Sequence, residues 1–245
     1  MEWPPRWLGT AYARLYEKFG EETFRLADAR ESLGPASNAR AILPSLVKAG
    51  WALRTDHGRY MLLDPMLAVS TLQEKPLQER IPNTDYLPVV ASFASSALRR
   101  MGRDLVSLAL YGSVAAGRPS RTSDLDILLV ANALPSPYSR RAPIVAELIR
   151  QTERARMELW RRKGLYPDLD VIALTPEEAS VGQPIYLEML ESCIFVLDRK
   201  GFLKDTLRAF AGELAQSGAR KVQTPGGLTY WMLEPGSKAG EATKT

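Results

Sequence analysis

The stretch LVSLALYGSVAAGRPSRTSDLDILLVAN, residues 105–132, decides how the chain is read. Its first apolar run, residues 106–111, has the length and content of a buried strand. Gly112-Ser113 ends that run and should open a helix or a tight loop. A second apolar run, residues 125–130, reads as another strand, with Asp124 and Asp126 at its start. Side chains alternate along a strand, so these two aspartates share a face. Carboxylates set side by side repel one another unless something neutralises them. A divalent cation does so, and hard oxygen ligands favour Mg²⁺ or Mn²⁺. Gly112 and Ser113 supply the complementary half of the chemistry. A glycine lets backbone approach a phosphate closely, and free N–H groups at a helix start favour anions. Ser113 adds a hydroxyl donor.

Gly-Ser at 112–113 followed by Asp-x-Asp at 124–126 resembles the signature of the DNA polymerase β-like nucleotidyltransferases. Within that superfamily it looks like the minimal nucleotidyltransferase branch, of archaeal type. The resemblance implies an α/β (α+β) mixed-sheet domain and a third carboxylate on a later strand. The stretch YPDLDVIALTP, residues 166–176, offers Asp170, with Asp168 two positions earlier on the same face. Asp170 is preferred, because the apolar strand 171–174 begins immediately after it. Asp124, Asp126 and Asp170 are then the catalytic and metal-binding residues, and Gly112, Ser113 and Ser123 the nucleotide-binding ones. Chemistry of this kind uses two divalent ions roughly 4 Å apart, one on the acceptor hydroxyl and one on the triphosphate. Asp124 and Asp126 would serve the triphosphate ion, Asp170 would complete the site for the other, and Gly112 and Ser113 would grip the β- and γ-phosphates. One departure from the pattern stands out: GSVAAG has Ala116 where many relatives carry a basic residue, which leaves Arg118 and Arg121 as substitutes for that charge.

Upstream, residues 9–19 and 22–32 read as helices, the first with Leu8, Ala11, Leu15 and Phe19 on one face and the second stopped at Gly34-Pro35. Ser37 is the expected N-cap of a third helix carrying Ala41, Ile42, Leu46 and Val47, which Gly50 ends. Strands at 51–55 and 59–63 flank an Asp56-His57-Gly58 turn. The stretch LVKAGWALRTDHGRYML, residues 46–62, resembles the end of a winged helix-turn-helix domain. In that family the third helix enters the DNA major groove and the hairpin touches the backbone. Arg40 and Arg59 are the matching candidate contacts. Pro44 falls inside the third helix and should kink or shorten it. Docking on a partner or on the neighbouring domain is the other role open to such a unit.

Three units are therefore expected: a winged-helix domain and linker over 1–80, a nucleotidyltransferase domain over 81–200, and a C-terminal extension over 201–245. The prolines at 65, 76, 82 and 88 mark residues 66–88 as a connecting stretch, followed by a helix to Gly102. Residues 140–163 gather Arg140, Arg141, Arg150, Arg154, Arg156, Arg161, Arg162 and Lys163 against Glu147, Glu153 and Glu158. A basic helix of that kind attracts phosphates, with Arg150 and Arg154 as further candidate nucleic-acid contacts, or is simply a solvated face. Ile144, Leu148 and Met157 or Trp160 are its apolar contacts. Residues 184–197 read as a helix, 202–217 as another, and Pro225-Gly226-Gly227 as a turn between two short strands. LDRKGFL through TYWMLEPGSKAGE is similar to the tail of archaeal nucleotidyltransferases. Tyr230 and Trp231 are a core or interface pair, or a surface for stacking a base.

Composition narrows the chemistry further. The only histidine, His57, sits at the hairpin tip, so triads and zinc sites that rely on histidine are not expected. The only cysteine, Cys193, excludes an internal disulfide and fits a reducing, cytoplasmic setting. No apolar run approaches the ~20 residues that span a bilayer, and the Met-Glu-Trp-Pro-Pro start is unlike a signal peptide. The net charge of +4 names no partner. The expected activity is metal-dependent transfer of a nucleoside monophosphate from a nucleoside triphosphate, with ATP preferred, to a hydroxyl of RNA or protein. Such a transferase suits an RNA-modification or toxin–antitoxin system with a small helical partner. The competing expectations are a DNA-binding regulator and an antitoxin-like interaction protein, each with a catalytically silent transferase domain.

Overall fold

Apolar runs with polar residues at one end need partners on both faces, and the strands around Gly112 find them in a mixed sheet. A computed structural model describes residues 3–35, 37–218, 220–223 and 229–232. The chain begins with α1 (Arg6–Phe19), β1 (Thr23–Arg25), α2 (Leu26–Leu33), α3 (Ala39–Lys48), β2 (Ala52–Asp56) and β3 (Arg59–Leu62). Short helices α4 (Pro65–Ser70) and α5 (Leu77–Arg80) lead to the long α6 (Leu87–Met101). Next come β4 (Leu105–Tyr111), α7 (Gly112–Ala115), β5 (Leu125–Ala131), α8 (Ala142–Arg150), α9 (Glu153–Lys163) and β6 (Leu169–Leu174). The described chain closes with α10 (Pro176–Ala179), α11 (Tyr186–Met189), β7 (Cys193–Asp198), α12 (Phe202–Gln216), β8 (Arg220–Gln223) and β9 (Thr229–Met232).

The main sheet has the order β6-β5-β4-β7, with β5 and β6 parallel and the other pairs antiparallel. Its two faces bury different cores. Leu108, Leu110, Ile127 and Leu129 join a large cluster that runs from Leu8 in α1 through Phe93 and Leu98 in α6 to Leu197 in β7. Ala109, Tyr111, Leu128, Val130 and Leu174 point the other way, against Tyr186, Met189, Leu203 and Leu207. Alternation along each strand produces this division directly.

The N-terminal helices and hairpin follow the expected order, with differences. Residues 23–25, expected inside the second helix, form a strand that completes a sheet of order β1-β3-β2, with Phe24 buried. Ser37 does not cap α3. Its hydroxyl donates to the Gly34 carbonyl at 2.7 Å, and Asn38 occupies the N-cap without a side-chain bond. Pro44 does not shorten α3, which keeps its 10 residues and buries Ile42, Leu43 and Leu46. At Gly58 the hairpin turns with φ +68°.

Three stretches are corrected by the structure. Residues 66–88 are not a loose connection: α4 and α5 bury Leu67, Ala68 and Leu77, and Ile81 and Tyr86 are buried as well. Their prolines start helices, with Pro65 and Pro88 in first turns and Pro76 at an N-cap. The basic helix of 140–163 is two helices, α8 and α9, parted where Thr152 is buried and its hydroxyl bonds the Ile149 carbonyl at 2.7 Å. Trp160, offered as an apolar contact, is 52% exposed. Finally, residues 184–197 are not one helix. Only Tyr186–Met189 is helical, and Cys193–Asp198 is the strand β7. A short apolar run such as Ile194-Phe195-Val196-Leu197 fits either element by periodicity. The open edge of β4 decides it, because its backbone groups need partners that only a strand supplies.

α12 agrees with expectation, and β8 and β9 pair antiparallel with Arg220 opposite Met232. The Pro225-Gly226-Gly227 turn, the side chains of Tyr230 and Trp231, and the tail 236–245 lie outside the described residues. Among the described residues no helix is long and apolar enough to cross a membrane.

Candidate active site

Strand register builds the site. Asp126 on β5 pairs with Asp170 on β6, and Tyr111 on β4 pairs with Asp126. On its other side Tyr111 pairs with Cys193 on β7. Asp170, Asp126, Tyr111 and Cys193 therefore form one row across the sheet. Directly paired residues share a face, and this is the face of the second core. The row is where that face changes from apolar to acidic. Asp126 is half-buried and Asp170 exposed. Asp124 is exposed just before β5, two positions from Asp126 and on the same side by alternation.

The two aspartates offered by β6 separate cleanly. Asp168 precedes the strand and accepts a 2.6 Å bond from Arg156, whose guanidinium is buried and lies 4.0 Å from the Tyr166 ring. Asp170 stands opposite Asp126.

Gly112 follows the row on the β4 side with φ +70°. A Cβ at this position would lie 2.1 Å from Oδ2 of Asp126 and 2.9 Å from its Cγ. The glycine is thus required twice, by its left-handed backbone and by the carboxylate against it. Ser113 donates to Ser123 Oγ at 3.0 Å, and the Ser120 N–H donates to the same oxygen at 2.8 Å. The Arg118 N–H reaches back to the Ser113 carbonyl at 3.0 Å. Loop 117–124 is thereby folded onto the Gly-Ser turn, with Ser123 tying the turn to Asp124. Arg118 and Arg121 are both exposed. Arg121 Nη2 stands 3.3 Å from where a Gly164 Cβ would lie, beside the end of α9.

Electrostatics at the row are one-sided. Burial raises the Asp126 carboxyl to about 6 from 3.8, and the charges of Glu188, Asp170 and Asp124 push it the same way. Burial also raises the Tyr111 phenol, followed by the charges of Asp126, Asp170 and Glu188. Glu188, on α11, had no place in the sequence reading. Its stretch was taken for a helix, so its position just ahead of a strand in the row was hidden.

Among the described residues, no three acidic, imidazole or thiol groups are gathered closely enough to hold a metal ion. The acids form an open row rather than a closed cage. In kind the donors suit a hard divalent cation, being carboxylate oxygens only, with Asp126 half-buried and Asp124 and Asp170 exposed.

The candidate nucleic-acid contacts have mostly found other partners. Arg59 on the hairpin faces Glu158 of α9 at 3.9 Å, and Arg154 of α9 is ion-paired with Glu22. Arg150 holds Glu147 at 2.7 Å within its own helix. Arg162 bonds Asp56 at 2.6 Å and the Thr55 carbonyl at 3.1 Å. Arg141 is fully buried, gripping Glu178 at 2.6 and 2.8 Å and the Ala173 carbonyl at 2.9 Å. Arg141 and Arg162 therefore brace the protein internally, whereas Arg150 and Arg154 are paired at the surface, 71% and 72% exposed. Arg40, on α3, is exposed.

Comparison with known proteins finds a family match over the same segment. Residues 94–199, which contain the row and the Gly-Ser turn, match the family model of the nucleotidyltransferase domain. Over 121 residues the chain is 26% identical to a putative protein adenylyltransferase of Methanocaldococcus jannaschii, covering 49% of this chain and 76% of that protein. Together these matches support the nucleotidyltransferase superfamily for this part of the chain. Among solved structures, a toxin–antitoxin complex with AMP-PNP matches at a TM-score of 0.31 and 19% identity, over 51% of this chain and 90% of that one. A mutant MntA–HpeT toxin–antitoxin matches at 0.29 and 18% identity, over 49% and 86%.

Proposed function

We propose that the protein transfers a nucleoside monophosphate, AMP by preference, from a nucleoside triphosphate to a hydroxyl group of a protein. The observation that carries this reading is the row itself: Asp126 paired with Asp170, and Gly112 pressed against Asp126, inside the segment that matches the nucleotidyltransferase domain. Two observations favour a protein acceptor over RNA. The relative from M. jannaschii is named a putative protein adenylyltransferase. Arg141 and Arg162, two of the basic side chains that would hold RNA, are committed to Glu178 and Asp56.

Asp124, Asp126 and Asp170 hold the divalent ions in this reading, Mg²⁺ or Mn²⁺. When bound, such ions activate an acceptor hydroxyl and stabilise the charge that develops on the leaving phosphates. Gly112 lets the triphosphate approach the backbone, and Ser113 donates to it, held in place by Ser123. Tyr111, paired with Asp126 and buried in the second core, stays protonated and brings no charge of its own.

We further read the unit α1 to β3 as a winged helix docked on its own transferase domain. Contacts of Thr23 and Arg59 with Glu158, and of Asp56 with Arg162, support this role, because they occupy the hairpin that would otherwise meet DNA. A cytoplasmic location belongs to the same reading.

The test is incubation of the full chain with each of the four α-labelled triphosphates in turn, Mg²⁺ or Mn²⁺, host lysate and total RNA, beside Asp124→Ala/Asp126→Ala. Label on a protein band that needs both aspartates is the expected result. Label on RNA alone overturns the acceptor assignment. No label with any of the four triphosphates overturns the enzyme reading and leaves a regulator or interaction protein.

A further inference from the structure

We propose that the acceptor protein docks as an extended strand on the outer edge of β6, which places its hydroxyl residue beside Asp170. The proposal rests on the protein-acceptor reading above and adds to it how that acceptor is held.

Strand order makes β6 an edge of the main sheet, with β5 on one side and no strand on the other. The Leu125 N–H donates to the Asp168 carbonyl at 2.8 Å, and the two strands then run parallel in register from Leu125↔Leu169 to Val130↔Leu174. In such a ladder alternate residues turn their backbone groups to the partner strand. Asp168, Asp170, Ile172 and Leu174 thus face β5, and the backbone groups of Pro167, Leu169, Val171 and Ala173 point outward.

Two buried arginines close this edge from either end. Arg156 donates from Nε to the Pro167 carbonyl at 2.8 Å, and Arg141 from Nη1 to the Ala173 carbonyl at 2.9 Å. Between them, no turn, loop or side chain among the described residues bonds the backbone of Leu169 or Val171. The side chains of both pack in the first core, while Asp170 between them is exposed. An unpaired edge is a template for another strand, and native proteins cover it. Here the cover stops on either side of the acid.

An extended polypeptide is the ligand whose donors and acceptors repeat at the spacing of this edge. Directly paired residues share a face, with Cβ atoms ~5 Å apart. The added residue opposite Asp170 therefore turns its side chain to the face of the acids. The row of Cys193, Tyr111, Asp126 and Asp170 gains a fifth member, and a hydroxyl residue in that place meets Asp170 directly. Recognition through the backbone selects extended segments over helical ones.

The experiment compares wild type with Val171→Pro, which removes one outward N–H where an edge strand tolerates proline, and with Val171→Ala, which keeps it. Each full chain is incubated with α-labelled ATP, Mn²⁺ and host lysate, beside binding of a non-hydrolysable ATP analogue and thermal denaturation. Val171→Pro should label the protein band about tenfold less, the effect of one hydrogen bond lost with its partner left unpaired. Val171→Ala should label within about twofold of wild type, and analogue binding should agree among all three. Mass spectrometry should place the label in an extended or unfolded segment, and that segment, made as a synthetic peptide, should slow hydrogen exchange over residues 169–174. Should Val171→Pro fail to fold, a peptide N-methylated at the labelled residue and both neighbours removes the same bonds from the other side, and unchanged labelling of it overturns the docking. Equal labelling by Val171→Pro and wild type, or label inside a helix of the acceptor, overturns the docking and leaves the transferase reading intact. A wild-type dimer that Val171→Pro dissolves gives the edge to a second copy of this chain and overturns it too. A wild type that labels no protein overturns both the docking and the protein-acceptor reading.

Discussion

Replacing Gly112 by alanine isolates the contact on which the site depends, and Gly58 provides its control. Both glycines adopt nearly the same backbone, φ +70° and +68°. At Gly58 nothing lies within 4 Å of an added Cβ, whereas at Gly112 it would meet Oδ2 of Asp126 at 2.1 Å. Gly58→Ala therefore costs only the left-handed backbone term, ~1–2 kcal/mol. Gly112→Ala costs the same term and must also open a carbon–oxygen contact to ~3.3–3.6 Å. The Asp126 carboxylate then moves by more than ~1 Å, at an overpacking cost of ~1–3 kcal/mol. For a chain of this size each kcal/mol lowers the melting temperature by ~2–4 °C. Gly112→Ala should accordingly melt roughly 6 °C below Gly58→Ala. A displacement of ~1 Å at a reacting centre costs about a hundredfold in rate, so nucleotide transfer should fall by that factor in Gly112→Ala and stay near wild type in Gly58→Ala. Thermal denaturation and initial rates with labelled ATP read both quantities. Equal melting of the two variants, or more than a third of wild-type activity in Gly112→Ala, refutes the reasoning.

Two further outcomes follow from charges in the fold. The folded Asp126 carboxyl, at about 6, binds its proton more tightly than the unfolded one at 3.8, so stability falls as pH rises through that window. The difference caps the effect at ~3 kcal/mol, and half-exposure reduces it to ~1–1.5 kcal/mol. Asp126→Asn in EDTA should be more stable than wild type by that amount at pH 7.5, with the gap closing by about pH 4 in urea denaturation; a gap that ignores pH refutes the assignment. Glu178→Ala leaves Arg141, 1% exposed, without its carboxylate and should cost ~3–5 kcal/mol. Glu147→Ala at the solvated Arg150 should cost under ~1 kcal/mol, and equal losses would show that burial does not set the value of these pairs.

The parts of the fold that sequence made legible were those where periodicity and punctuation agree. Residues 105–111 and 125–131 are apolar, bounded by Gly112 and Asp124, and of strand length, and both are strands. The Gly-Ser turn and the Asp-x-Asp pair follow from the same punctuation. What was illegible is long-range. β7 looked helical because four apolar residues carry no period of their own, and only the free edge of β4 makes them a strand. β1 is three residues long, below what any pattern resolves, and exists because β3 offers an edge. Pro65, Pro76 and Pro88 read as breaks but start helices, a distinction made by the buried Leu67, Leu77 and Tyr86 beside them. Cys193 was lost with β7: it joins the row by pairing with Tyr111, and register cannot be read before the strand is.

The basic segment shows the same limit in electrostatic form. Counted along the chain, residues 140–163 carry eight basic residues against three acidic ones, which suggests a surface for phosphates. Counted in space, the balance changes, because the neutralising acids come from elsewhere: Glu22 and Asp56 from the N-terminal unit, Asp85 from the turn before α6, Asp168 from the approach to β6, and Glu178 from α10. Local charge density in sequence reports a free surface only when the fold sends no opposite charge to meet it. Here the fold sends several, and the consequence bears on function. Arg162 of α9 holds Asp56 of the hairpin, and Arg154 holds Glu22 ahead of β1. On the proposed protein-acceptor reading, the substrate hydroxyl needs only the open row of acids at the sheet's end.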